Sequence, residues 1–204
     1  MRAVHHCVES FCAATGTTEA SDALALSGLA KLIPGLLQCA SDDRGDDLDA
    51  RLGCQLGSVD AMAACSSEGI ELGASHGIGH QLGPLGVSYG DTSCILLPAV
   101  CRYNARHRAN NEQQRRLCDF LWSLPGVADV IQFRGLTNHN ADLADILDLV
   151  MREMGLPRSL GEVGVHRGQL DELPGNSLKD RWCGTDTVPL IDKKQVLEIL
   201  GMVI

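Results

Sequence analysis

Apolar residues recur at helical spacing along most of this 204-residue chain, and this periodicity constrains the fold more than any other feature. Residues 19–40 carry an apolar stripe broad enough for a buried helix, in which Pro34 predicts a kink or a break. The same spacing predicts helices over residues 48–66 and 138–155, and a last helix that begins after an N-cap at Asp192. The chain therefore has enough helical segments to build a bundle.

Strand signals are nearly absent from the sequence. Aromatic residues make up 3% of the chain, and the one patch rich in β-formers, residues 127–133, is short and follows a Pro-Gly turn. We therefore predict an all-α fold. We expect a single helical domain over residues 1–204, with the turn at 124–126 as the candidate subdomain edge.

Composition and charge indicate a soluble globular protein. Apolar residues are 45%, charged residues 21% and mean hydropathy +0.02, and no apolar run approaches the roughly 20 residues of a membrane span. The first residues lack the pattern of a secretory signal, so we expect a cytoplasmic protein without a membrane partner. A net charge of −9 repels nucleic acid, and the basic cluster within residues 102–116 has no interleaved aromatic residues. We therefore expect no nucleic-acid partner.

Nine cysteines are many for this length, but none forms a C-x-x-C pair and their number is odd. Most lie among Ala, Leu and Val, which predicts reduced thiols that fill the core. Cys7 adjoins His6, so a catalytic thiol at Cys7 remains an alternative.

Two groups of polar residues carry the chemistry of the sequence. In the glycine-rich segment 73–98, His76 and His80 are four residues apart, so on a helix both imidazoles leave the same face and could share a metal ion or a substrate. A zincin needs Glu directly after the first His, and Gly77 stands there instead, which excludes that class. The alternative is a close helix crossing, permitted by the glycines, with two partly exposed histidines.

The second group opens the chain in MRAVHHCVESF and comprises Arg2, His5, His6 and Glu9. His6 and Glu9 are three residues apart, a spacing with which helices present metal ligands to a bundle interior. A solvated helix surface is the alternative for this pair.

The segments AVHHCVE, EASDALALSGLAKLI and ASHGIGHQLGPLGVSYGDTSCILLPAVCRYN, in this order, resemble the carboxy-terminal helical domain of iron-type alcohol dehydrogenases, nearest to the maleylacetate reductase branch. The resemblance runs from about Arg2 to the final helix and implies the helical metal and substrate domain of a dehydroquinate synthase-like fold. In such proteins an amino-terminal α/β domain binds NAD(P), the helical domain holds iron or zinc, and hydride transfer takes place in the cleft between them. The nucleotide-binding α/β domain has no counterpart in this sequence.

In that family the metal ligands are an Asp and a His four residues apart, the first His of an HGxxH segment, and a later His before a Gly. On this resemblance the four positions fall on Arg2, His6, His76 and Tyr89. His6 and His76 remain as residual ligands, so the metal site is predicted to be degenerate unless His80 or Glu9 is recruited. We expect neither a metal ion nor NAD(P) on this chain alone.

The resemblance also implies roles and partners. His80 would lie near the reacting oxygen, Tyr89 would supply a hydroxyl group, and Arg2 would bind a carboxylate of a small-molecule substrate. The first functional hypothesis is NAD(P)H-dependent reduction of a small oxygenated substrate by a truncated or stand-alone helical domain, which needs a nucleotide-binding partner chain or acts as a homo-oligomer. The alternatives are a re-used scaffold that catalyses a non-redox isomerisation, dehydration or cyclisation, and a non-catalytic remnant.

Overall fold

The computed structural model describes residues 1–137 and 140–204, and no strand occurs in those two ranges, so the predicted all-α fold is confirmed. Eleven α-helices lie in the described residues: α1 (Arg2–Phe11), α2 (Glu19–Ser41), α3 (Leu48–Cys65), α4 (Ala74–Leu82), α5 (Tyr89–Arg106), α6 (Asn111–Trp122), α7 (Val127–Phe133), α8 (Leu143–Glu153), α9 (Leu173–Ser177), α10 (Arg181–Thr185) and α11 (Lys193–Leu200). The β-forming patch is thus the helix α7. It buries Val127 and Ile131, one helical turn apart, against the core.

Two helix boundaries differ from the prediction. The helix expected over 138–155 begins only at Leu143, because Asp142 caps it by accepting the backbone N–H of Asp145; residues 138 and 139 lie outside the described ranges. The expected break at Pro34 is wrong, since α2 runs through it to Ser41. Pro34 has no N–H and so removes one backbone hydrogen bond from α2, but the packing of α2 against α1 and α3 offsets this loss.

The α2–α3 pair is held at short distance by small residues. A Cβ atom on Gly28 would lie 3.2 Å from the carbonyl oxygen of Gly57 and 2.7 Å from Sγ of Cys7, so only glycine permits this approach. Lys31 of α2 bridges to Asp60 of α3 at 2.6 Å. These contacts fix the hairpin against which α1 lies.

By length and composition α2 is the one helix of the described residues that could cross a membrane, with a mean hydropathy of 1.5 over its most apolar window. This is weak evidence, because the core helix of a soluble protein passes the same test. In the structure α2 buries Ala25, Leu29 and Ile33 within the bundle. About a third of its most apolar window is buried in this way.

The described residues form two apolar cores that meet along α5. One core joins α1, α2 and α3 with α6, α7 and α8, and receives Cys94, Leu97 and Cys101 from α5. The other joins α4 with α9, α10, α11 and their connecting loops, and receives residues from the opposite side of α5, such as Leu96 and Tyr103. The turn at 124–126 lies between α6 and α7, whose flanking residues both belong to the first core. The organisation as one domain stays a prediction.

Candidate functional site

The five residues predicted to form the site lie together, although they come from three helices. The rings of His6 and His76 are nearly parallel with centroids 5.3 Å apart, and His80 lies 6.4 Å from His76. The Tyr89 ring is 5.7 Å from His76 and 6.3 Å from His80, and Cζ of Arg2 lies 5.0 Å from the Tyr89 ring centroid. These five side chains are thus neighbours in the structure, while their assignment as a functional site stays a prediction.

Helix α1 contributes one face to this site. Arg2, His6 and Glu9 follow at helical spacing, and His6 and Glu9 are buried with 6% and 8% of their surfaces exposed. The solvated-surface alternative for this pair is therefore wrong. Arg2 stays exposed at the mouth of the site.

Glu9 anchors His76 rather than His6. Because a carboxylate only accepts hydrogen bonds, Nδ1–H of His76 donates to Oε2 of Glu9 at 2.5 Å. Glu9 also accepts the backbone N–H of Gly73 at 2.9 Å and the hydroxyl proton of Ser75. Burial alone would raise the pKa of Glu9, but the charge interactions and hydrogen bonds with His76 and His5 outweigh burial and hold this pKa well below its usual range. Nε2 of His76 is buried and has no hydrogen-bond partner among the described residues, so it is the atom left for a ligand.

His5 belongs to the polar group that opens the chain, but the sequence assigned no role in the site to it. Its ring stacks on His76 with centroids 3.8 Å apart. Its Nε2 lies 2.5 Å from Oγ of Ser75, and its Nδ1 lies 2.9 Å from Oγ of Ser93. Burial lowers the pKa of His5 to about 4, and burial likewise lowers the pKa of His6 to about 4. Both rings are therefore neutral at pH 7, and His76 lies between two uncharged imidazoles.

His80 is anchored by a carboxylate from another part of the chain. Its Nδ1 lies 2.8 Å from Oδ2 of Asp180, a residue at the N-terminus of α10 and one hundred positions further along the sequence. No motif in the sequence connects these two residues. The contact exists because α10 packs closely against α4, where a Cβ atom on Gly77 would lie 2.6 Å from Sγ of Cys183.

Tyr89 supplies a protonated phenol. Burial, assisted by the negative charge of Glu9, raises the pKa of Tyr89 to about 12. The hydroxyl group therefore donates a hydrogen bond at neutral pH and does not act as a phenolate ligand. Cys7 is similarly inert, because complete burial raises the pKa of its thiol to about 12, which excludes it as a nucleophile at pH 7.

The donor set does not match the metal site that the resemblance implies. The four positions hold the imidazoles of His6 and His76, a protonated phenol and the guanidinium of Arg2, which repels a cation. A second group, His5, Glu9 and His76, places potential ligand atoms within 4.8 Å of one another. Nδ1 of His76, the oxygens of Glu9 and Nε2 of His5 already hydrogen-bond to one another or to the hydroxyl of Ser75. Of the ring nitrogens in this group, only Nε2 of His76 has no partner among the described residues.

The pyrophosphate cradle implied by the resemblance requires a glycine-rich turn between a strand and a helix, and residues 1–137 and 140–204 contain no strand. The absence of NAD(P) from this chain alone stays a prediction.

Comparisons with known proteins match this architecture. The family model "Fe-containing alcohol dehydrogenase family, C-terminal" covers residues 1–204. The dehydrogenase ALT3 of Alternaria alternata is 40% identical over 84% of this chain and 44% of its own length, and the dehydrogenase FUM7 of Gibberella moniliformis is 35% identical over 99% of this chain and 49% of its own. A 4-hydroxybutyrate dehydrogenase of Cupriavidus necator is 30% identical over 88% of this chain and 44% of its own length.

Solved structures agree on the fold. A 1,3-propanediol oxidoreductase superposes with a TM-score of 0.81 at 24% identity, covering 100% of this chain and 50% of that one. A maleylacetate reductase from Agrobacterium tumefaciens superposes with a TM-score of 0.74 at 20% identity, covering 99% of this chain and 50% of that one. The chain thus spans about half the length of the relatives that it matches. It belongs to the iron-containing alcohol dehydrogenase family and corresponds to the carboxy-terminal helical domain of that family.

Proposed function

We propose that this chain is the substrate-binding half of a cytoplasmic, NAD(P)H-dependent dehydrogenase of the maleylacetate reductase type that reduces a small oxygenated acid at a degenerate metal site. In this proposal the hydride donor is held by a nucleotide-binding unit outside residues 1–204, such as a partner chain, because the described residues contain no glycine-rich turn between a strand and a helix. Two relatives whose names specify acids support this substrate class: the 4-hydroxybutyrate dehydrogenase and, at the level of the fold, the maleylacetate reductase.

The position of Arg2 is the observation that carries this proposal. Its guanidinium lies over the ring of Tyr89. On the resemblance, other family members have a metal-binding Asp at the position of Arg2. The nearby imidazoles of His5 and His6 are neutral, and the charge of Glu9 is engaged by hydrogen bonds behind them. The exposed side of the site therefore carries a positive charge that attracts a carboxylate.

The other side chains then have defined tasks. Arg2 binds the carboxylate, the phenol of Tyr89 donates a hydrogen bond to the substrate oxygen, and Nε2 of His80 exchanges the proton of that oxygen. Reduction of a carbonyl group adds a hydride at carbon and a proton at oxygen, and this chain supplies only the proton.

Binding of two matched ligands tests the proposal without a hydride donor. We expect 4-hydroxybutyrate to shift the NMR signals of His80 and Tyr89 saturably, whereas 1,4-butanediol, which has the same chain length and no carboxylate, leaves them unchanged. Arg2→Gln should abolish the effect, because the exposed guanidinium supplies the anion contact. Arg115→Gln is the matched control, since Arg115 is an exposed arginine of α6 that pairs with Asp119. Equal shifts with both ligands, or with Arg2→Gln, would contradict the proposal.

A redox-neutral proton transfer is the second candidate function. The pair formed by His80 and Asp180 favours it, because an imidazole held by a carboxylate is an acid-base group that needs neither metal nor nucleotide. Turnover of a hydroxy or oxo acid by the chain with no nicotinamide present would identify this alternative.

A further inference from the structure

We propose that Asp180 is a positioning residue that holds His80 in the tautomer protonated at Nδ1, so that Nε2 is the atom that exchanges a proton with the substrate. The reaction rests on the proposed function, whereas the control of the tautomer rests on the structure alone. The resemblance and the sequence motifs assign no role to Asp180.

The two oxygens of Asp180 have separate partners. Oδ2 lies 2.8 Å from Nδ1 of His80, and Oδ1 accepts the backbone N–H of Trp182 at 3.0 Å. A carboxylate has no proton to donate, so the ring nitrogen must be the donor. Nδ1 is therefore protonated, and in the neutral ring Nε2 carries the lone pair.

A backbone hydrogen bond fixes the carboxylate of Asp180 beside the ring of His80. Asp180 is the N-cap of α10, and the bond to Trp182 sets the rotation of its side chain. Gly77 allows α10 to approach α4 so closely that a Cβ atom at that position would lie 2.9 Å from the backbone nitrogen of Cys183. His80 and Asp180 are thus positioned by the same helix crossing.

His76, one turn earlier on α4, has the same arrangement. Its Nδ1 also donates to a carboxylate from another helix, that of Glu9, and its Nε2 is left without a protein partner among the described residues. Both imidazoles of α4 are therefore oriented through Nδ1. A buried His76 and a half-exposed His80 thus offer the same ring atom, Nε2, beside Tyr89.

The geometry predicts the effect of Asp180→Asn. The backbone N–H of Trp182 requires an oxygen acceptor, so the amide oxygen takes the place of Oδ1 and the NH₂ group takes the place of Oδ2. The NH₂ group then faces Nδ1 of His80, which must become an acceptor. The proton moves to Nε2, and this ring atom can no longer accept a proton from a substrate.

Long-range ¹H–¹⁵N NMR of the full chain, labelled at the histidine rings, measures the tautomer directly. At a pH where His80 is neutral, we expect Nδ1 to be protonated in the wild type and Nε2 to be protonated in Asp180→Asn. Asp192→Asn is the matched control, because Asp192 caps α11 through the N–H of Gln195 and contacts none of the histidines that the structure describes. It should leave the His80 signals unchanged.

A wild-type ring protonated at Nε2, or an unchanged tautomer in Asp180→Asn with folded spectra, would overturn the inference. Binding of 4-hydroxybutyrate is measured on the same samples and should be retained within about threefold, because Arg2 is untouched. If the wild type does not bind 4-hydroxybutyrate, but the tautomer of His80 still changes in Asp180→Asn, the proposed function is refuted and the positioning role of Asp180 stands. Where turnover is measured, Asp180→Asn should lower kcat about 10²–10⁴-fold with KM nearly unchanged.

Discussion

Gly77→Ala tests whether the closeness of α4 and α10 holds the site together. The added Cβ atom would lie 2.6 Å from Sγ of Cys183, 2.9 Å from its backbone nitrogen and 3.4 Å from the carbonyl carbon of Trp182. Two of these atoms belong to the backbone, so α10 must move, and overpacking of this kind costs about 1–3 kcal/mol. The better helix propensity of Ala returns up to about 1 kcal/mol. We expect a net loss of about 1–2 kcal/mol, which at about 2–4 °C per kcal/mol lowers the Tm by about 2–8 °C for a chain of this size.

Thermal unfolding followed by circular dichroism measures this loss, and Gly184→Ala is its control. Gly184 lies inside α10, where an added Cβ atom meets no described atom within 4 Å, so Ala should stabilise the protein there. A Gly-to-Ala substitution should therefore lower the free energy of unfolding at Gly77 and raise it at Gly184. A Gly77→Ala variant as stable as the wild type, with unchanged His80 signals, would refute the close-approach argument.

Four further outcomes are expected. Elemental analysis of the purified chain should find iron and zinc well below one ion per chain, because two imidazoles beside a guanidinium bind divalent metal poorly. About one tightly held ion per chain would indicate a site rebuilt with His80 or Glu9. NADH titration followed by nicotinamide fluorescence should give no saturable change, since the described residues hold no pyrophosphate cradle. If the chain converts a substrate, His80→Ala should reduce the rate at least tenfold more than Cys7→Ala, whose thiol stays protonated and buried. Urea unfolding should show that His5 makes the free energy of unfolding fall by up to about 3 kcal/mol between pH 6.5 and pH 4. The reason is that the ring of His5 takes up a proton near pH 6.5 in the unfolded chain but only near pH 4 in the folded chain. The variant His5→Gln should lack this part of the pH dependence.

Local periodicity was sufficient to predict the helical fold, but not the boundaries of every helix. The β-branched residues of α7 suggest a strand by composition, yet Val127 and Ile131 are spaced to bury one side of a helix, and tertiary packing decided between the two. Similarly, Pro34 is tolerated because α2 is fixed by its neighbours on two sides. Local signals predict where a helix is favourable, whereas its end depends on contacts made elsewhere in the chain.

Candidate site residues could be predicted from the sequence where they are spaced along one helix, but not where they meet through contacts between helices. The four-residue spacing of His76 and His80 indicates a shared face, and the family resemblance joins them to His6 and Tyr89. Asp180 follows no such rule, because its place beside His80 results from how α10 crosses α4.

The exposed and buried halves of the candidate site make separate contacts, so Arg2 can stand where the resemblance implies a carboxylate without disturbing the rings. Glu9 links α1 to α4 through Gly73, Ser75 and His76, all on the buried side of the rings. Arg2 makes its contact with Tyr89 on the exposed side, where a change of ligand chemistry disturbs no bond of that network. A cation at position 2 therefore alters what the site attracts without removing a contact that fixes the rings. Substituting Glu9 would instead leave Nδ1 of His76 and the N–H of Gly73 without their acceptor, so the bundle is far less tolerant at that position.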